Sequence, residues 1–177
     1  MKLLNKHNLI AVAIVIFVVV AILRVFVFET FFVRGDSMAP TLLDGDFVFV
    51  NKLAYVGDLK PERTDVVVVI PRVLPQKVVK RVIGLPGERF EIISEKIVIK
   101  DSRTDSGVTL DEPYLEFPNT PEIGKVKTNI DPGEYFLLGD NRRVSIDSRE
   151  LGMVDRWDIV GEVIGAFRFK SFKYIGL

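Results

Sequence analysis

The chain has 177 residues, with Lys plus Arg and Asp plus Glu at 24 each, so its formal net charge is zero. A nucleic-acid partner is disfavoured, because no basic excess is available to neutralise phosphates. Cysteine is absent and His7 is the single histidine, which excludes disulfides, thiolate catalysis and any metal site built on cysteine or several histidines.

Residues 9–23 read LIAVAIVIFVVVAIL, and the apolar run continues to Phe28. About 20 apolar residues match a helix that crosses a bilayer core. Lys2 and Lys6 in the preceding flank favour leaving the N-terminus in the cytoplasm. A cleaved signal peptide would have a shorter apolar region followed by a small-x-small site. Arg24, Phe26, Phe28 and Glu29 follow instead. The expectation is a cytoplasmic tail over 1–7, a retained transmembrane anchor over 8–28 and an extracytoplasmic domain over 29–177. Phe26, Phe28, Phe31 and Phe32 should hold the next stretch near the interface.

No later segment shows a helical period. Short β-branched runs occur at 47–50, 66–70, 77–83, 90–94, 96–99, 135–138 and 159–169. Asp44-Gly45, Pro71, Pro86-Gly87 and Pro132-Gly133 punctuate them. The fold class expected is mostly β, an antiparallel sheet or barrel-like catalytic domain behind one N-terminal transmembrane helix. Residues 101–129, rich in Asp, Ser, Thr, Pro and Asn, read as an excursion or small cap.

Three stretches carry candidate chemistry. RGDSMAPTL, residues 34–42, sets Ser37 in a turn just past the anchor. A serine hydroxyl is a weak nucleophile without a base beside it. His7 lies before the membrane segment, so a desolvated, neutral lysine is the alternative. KVVKRVIGLPGE, residues 77–88, supplies one. Strand alternation puts Lys80 on the face of Val78 and Val82, with Val79, Arg81 and Ile83 opposite. Lys77, at the strand start, is the weaker candidate. GDNRRVSIDSRELGMV, residues 139–154, repeats Ser145, Asp147 and Arg149 at period two, which would place all three on one side of an extended segment. Ser145 could orient the amine, and Asp147 with Arg149 could form a stiffening ion pair. Each stretch alone also fits a turn-former, a snorkelling lysine or a polar loop.

The ordered set of anchor, SMAPT, GDFVFV, KRVIGLPGE and GDNRRVSIDSRELG resembles the bacterial type I signal peptidases, in the compact single-anchor form common in Gram-positive bacteria. The resemblance implies Ser37 as nucleophile, Lys80 as general base, Ser145 as support for the lysine, and Asp147 and Arg149 as structural supports. It implies Met38 and Pro40 at the substrate site and the Ser37 backbone N–H as an oxyanion donor. Some family members carry a serine with a second oxyanion donor at the position of Gly35. The implied activity is removal of signal peptides from exported preproteins after small-x-small sites, with no metal and no cofactor. The implied partners are preproteins and the lipid bilayer.

Three other readings fit less well. A self-cleaving repressor shares such a dyad, but no DNA-binding segment is present. A cell-wall transpeptidase of known design needs a cysteine. A catalytically weak or inactive anchored homologue acting as an assembly factor should have lost Ser37 or Lys80.

Overall fold

The computed structural model describes residues 6–93, 96–101, 107–116 and 126–177. Helix α1 spans Lys6–Phe26. It is rich in Val and Ile, yet a helix is the one single-segment solution in lipid because no water competes for the backbone. Its window Asn8–Phe26 has a mean hydropathy of 3.2, and none of it is buried against the protein. The helix ends two residues before the expected boundary at 28. Strand β1 begins there, Phe28–Phe32, and pairs antiparallel with β2, Phe47–Asn51. Sequence FETFF continues the apolar run but belongs to the sheet. Arg24 donates to Thr30 Oγ1 at 2.9 Å and Lys52 Nζ donates to the Val25 carbonyl at 2.7 Å, fastening the last helical turn to the domain.

The remaining strands are β3 (Val66–Val69), β4 (Val78–Gly84), β5 (Glu88–Ile93), β6 (Lys96–Asp101), β7 (Gly107–Thr109), β8 (Lys127–Asn129), β9 (Glu134–Leu138), β10 (Val154–Asp155), β11 (Ile159–Arg168) and β12 (Lys173–Gly176). All pairings are antiparallel. The larger sheet runs β1-β2-β11-β3-β4-β9-β10, with β12 also on β11. The smaller runs β7-β6-β5-β8. Residues 107–109 and 127–129 therefore edge a second sheet, while 102–106 and 117–125 of the expected excursion lie outside the described residues.

β3 reads VVVV and is buried at every position, as suits a strand with partners on both sides and both faces covered. Val78 and Val82 of β4 pack in one core cluster and Val79 in another, so the alternation expected around Lys80 is present. Phe90 of β5 stacks on Phe136 of β9 with ring centroids 4.1 Å apart, joining the two sheets.

Helix α2 is a single turn, Ser148–Leu151, which corrects the expectation of an extended segment over 145–149. Asp147 is its N-cap, and the side-chain oxygen of such a residue satisfies amides that the first helical turn leaves orphaned. Ser145, Asp147 and Arg149 are gathered by a turn and a cap, not by strand periodicity.

Candidate active site

Ser37 sits in the loop between β1 and β2. The loop closes on itself through Val33 N–H to Asp46 O at 2.8 Å and Gly45 N–H to Val33 O at 3.0 Å. Asp44 Oδ1 accepts from the Gly35 amide at 2.8 Å. Gly35 has φ of +81°, a conformation strained for any residue with a side chain. Glycine at this position therefore has a backbone reason. Buried Asp46 anchors the loop: its carboxylate accepts from the Leu43 amide at 2.9 Å and from Arg168 at 2.7 and 2.9 Å. Burial pushes this carboxyl up, but Arg168 and the Leu43 amide outweigh it and hold the group below its ordinary value. Met38 and Leu42, both fully buried, pin the loop to the core beneath.

Lys80 lies opposite Val67 in the β3–β4 ladder and is 4% exposed. Its Nζ is 2.9 Å from Ser37 Oγ, although 43 residues separate the two in sequence. Burial strips water from the ammonium and pushes the amine down to about 8 from 10.5. Asp147 and Asp140 pull the other way, and Arg149 adds to the depression. Desolvation thus outweighs the nearby carboxylates. Lys77, the alternative base, is paired instead with Glu29 on β1.

The segment 139–149 backs the pair. Asn141 N–H donates to the Ser37 carbonyl at 3.0 Å. Gly139 lies so close that a Cβ there would stand 2.4 Å from the Ser37 carbonyl oxygen and 2.2 Å from Ser145 Oγ. Ser145 is buried and its Oγ has no hydrogen-bond partner among the described residues, so the expected bond from Ser145 to Lys80 is not formed here. Asp147 and Arg149 do pair, at 2.7 and 2.8 Å. Asp147 also accepts from the Gly139 amide at 3.0 Å, while Arg149 donates to the carbonyls of Arg142 and Ser145.

Sequence reading missed a second layer. Arg81 grips Asp140 with two bonds, 2.8 and 2.6 Å, and Thr41 Oγ1 donates to the same carboxylate at 2.6 Å. This ties the Ser37 loop, β4 and the 139–149 segment into one unit. The Tyr114 ring lies against the Arg81 guanidinium at 4.0 Å, and Arg142 pairs with Glu112 at 2.5 Å. The available signal was a charge in each stretch beside a candidate residue; its partner depends on topology.

The Ser37–Lys80 pair opens into a groove of about 180 Å³, lined by residues 31–34 of the first wall and 76–80 of the second, with Met38 at its base. β9 covers β4 only from Arg81 onward, so the backbone of 78–80 on that side has no strand partner among the described residues. Met38 lines the groove as expected. Pro40 is exposed and is not among the lining residues.

A hydroxyl in hydrogen-bond contact with a buried amine of depressed basicity can act as nucleophile and base. With a β scaffold and an N-terminal helix long and apolar enough to span a membrane, this describes a membrane-anchored serine hydrolase. Residues 6–167 match the family model described as signal peptidase, peptidase S26. Signal peptidase I of Bacillus caldolyticus is 40% identical over 168 residues, covering 88% of this chain and 86% of that protein. Signal peptidase IB of Staphylococcus aureus (strain MRSA252) is 36% identical over 178 residues, covering 90% and 88%. The crystal structure of a signal peptidase I from Enterococcus faecalis V583 superposes with a TM-score of 0.51 at 32% identity, covering 59% of this chain and 97% of that one. The chain belongs to the signal peptidase family and is a serine endopeptidase that removes signal peptides.

Proposed function

We propose that Ser37 is the nucleophile of this peptidase and Lys80 its general base. The observation that carries the reading is the 2.9 Å contact between Nζ and Oγ, made by a lysine whose basicity burial lowers to about 8. Neutral Lys80 takes the hydroxyl proton as Oγ attacks the scissile carbonyl. The Ser37 backbone N–H, which no described residue accepts from, faces the developing oxyanion. As the C–N bond breaks, Lys80 returns the proton to the leaving amine. Water then attacks the acyl-enzyme, with Lys80 again accepting a proton. Asp147 and Arg149 brace the 139–149 segment that backs Ser37, with Ser145 buried in it.

The substrate is a preprotein whose signal peptide occupies the membrane. Its chain runs extended through the groove, beside the free edge of β1 and the uncovered backbone of 78–80. β1 is five residues long, so roughly 16 Å of strand, at ~3.3 Å per residue, runs from the anchor into the groove. A short extended stretch after the substrate's own apolar segment reaches Ser37. The groove holds only about 180 Å³, which favours small residues before the bond. The N-terminus is cytoplasmic and the domain, 29–177, extracytoplasmic, in keeping with Lys2 and Lys6.

Preprotein cleavage in detergent tests the assignment, comparing wild type, Ser37→Ala and Lys80→Ala with the new N-terminus identified. Wild type should cut after a small-x-small site, and both folded variants should be inactive. An active Lys80 variant would remove it as base and return attention to Lys77.

A further inference from the structure

The floor of the groove changes character along its length. Val33, Met38 and Val79 belong to one buried core cluster with Phe31 packed on it, and all four line the groove. Beside Ser37 the floor is therefore apolar. Successive residues of a strand alternate between its faces, so Glu29 shares the face of Phe31 on β1. Lys77, one residue before β4, likewise shares the face of Val79. β1 and β4 run in the same sense, because each pairing from β1 through β2, β11 and β3 to β4 is antiparallel. The starts of both strands thus lie at the same end, and there Glu29 and Lys77 meet as an ion pair across the gap. Their side chains stay 27% and 38% exposed. Lys77 lines the groove, whereas Glu29 lines a separate hollow with Ala21, Arg24, Val25 and Thr30 against the last turns of α1. The pair stands where a chain coming from the anchor side enters the groove, and there the floor turns from apolar to charged.

The spacing of the substrate brings one side chain to this pair. Small residues at the first and third positions before the bond are two apart, so in an extended chain they share a face. The fifth residue follows on that face. Away from Ser37, β1 presents Val33, Phe31 and Glu29 to the floor in the same step of two. A substrate strand running alongside sets its first, third and fifth residues against them in turn.

We propose that Glu29 and Lys77 form a subsite for the side chain of the fifth residue before the bond, one that takes a neutral hydrogen-bonding group such as the amide of asparagine or glutamine. An amide accepts from the Lys77 ammonium and donates to the Glu29 carboxylate at once. An apolar side chain laid there strips water from both charges and returns no hydrogen bond. The pair therefore limits how close to the bond the apolar segment of a signal peptide extends, which helps to fix the residue at which the chain is cut. The groove's volume governs size near the bond; this pair adds a discrimination by polarity. The inference rests on the proposed passage of the substrate through the groove to Ser37.

Cleavage of soluble peptides by the full chain in detergent tests it, with peptides that differ at the fifth position alone. Asparagine should exceed leucine by roughly fivefold in kcat/KM, mostly through KM. Glu29→Leu combined with Lys77→Met should remove or invert that ratio, while the demand for small residues at the first and third positions persists. Glu29→Gln keeps the shape and leaves Lys77 without its carboxylate. That variant should prefer glutamate to lysine at the fifth position, and added salt should weaken the preference. A ratio near one in wild type, an unchanged ratio in the apolar double variant, or no charge preference in Glu29→Gln would each overturn the subsite. If small residues are still required at the first and third positions, passage through the groove survives that result. If wild type shows no such requirement, the passage falls together with the subsite.

Discussion

Replacing Lys80 with methionine should abolish cleavage and yet stabilise the fold. The side chain is 4% exposed and its amine is pushed down to about 8 from 10.5. In the unfolded chain the amine titrates near its ordinary value. Below pH 8 both states carry the proton, and the folded state bears the whole cost of a buried ammonium. That shift corresponds to about 3 kcal/mol. Methionine fills similar space without a charge but forfeits the bond to Ser37 Oγ, worth about 1 kcal/mol. Net stabilisation of about 2 kcal/mol at neutral pH is expected. The sign is specific. Between pH 8 and 10.5 the unfolded state binds more protons than the folded state, so this lysine makes wild-type stability rise with pH there. Above that window the advantage of the methionine variant should vanish. Urea unfolding of both proteins in detergent, at several pH values from 7 to 11, reads the difference while cancelling other titrating groups. A methionine variant less stable than wild type at pH 7, or a gap independent of pH, would refute the claim that desolvation governs this amine.

Cleavage should require the neutral amine, so kcat/KM should fall about tenfold per pH unit below a midpoint near 8 and level off above it, leaving about one tenth of the plateau at pH 7. A profile flat from pH 6 to 9 would count against Lys80 as base. Gly139→Ala should lower kcat and cost about 1–3 kcal/mol of stability, because its Cβ would press on the Ser37 carbonyl and on Ser145; an unchanged kcat would show that this approach does not position the nucleophile. Arg81→Met should cost about 3–5 kcal/mol by leaving the fully buried Asp140 carboxylate without its cation. The double variant with Asp140→Leu should recover much of that loss in thermal unfolding, and no recovery would place the cost elsewhere.

Strand positions were legible wherever β-branched runs stood between turn residues, as at Val66–Val69 and Val78–Gly84, because covered strands need continuous apolar sequence. β1 was hidden because its FETFF sequence prolongs the apolar run of the helix, and hydropathy does not distinguish lipid from sheet. The pairing of Ser37 with a buried Lys80 was legible from residue type and surroundings, and the two are in contact at 2.9 Å. The period-two reading of 145–149 failed on a signal present in the sequence: Asp147 followed three residues later by Glu150 is an N-terminal helix signature. The ties from Arg81 to Asp140, Arg142 to Glu112 and Arg168 to Asp46 were not legible. They span 59, 30 and 122 residues, and only the folded topology selects among so many charged partners.

β1 is at once the open edge of the large sheet and the first strand after the anchor. An unpaired edge free in solution would template any extended chain it met. Tethered to α1, it diffuses in two dimensions at a fixed height, so it encounters chiefly chains held in the same bilayer, at high effective concentration. Discrimination against the bulk of surrounding protein then begins with dimensionality, before any side chain of the substrate is read.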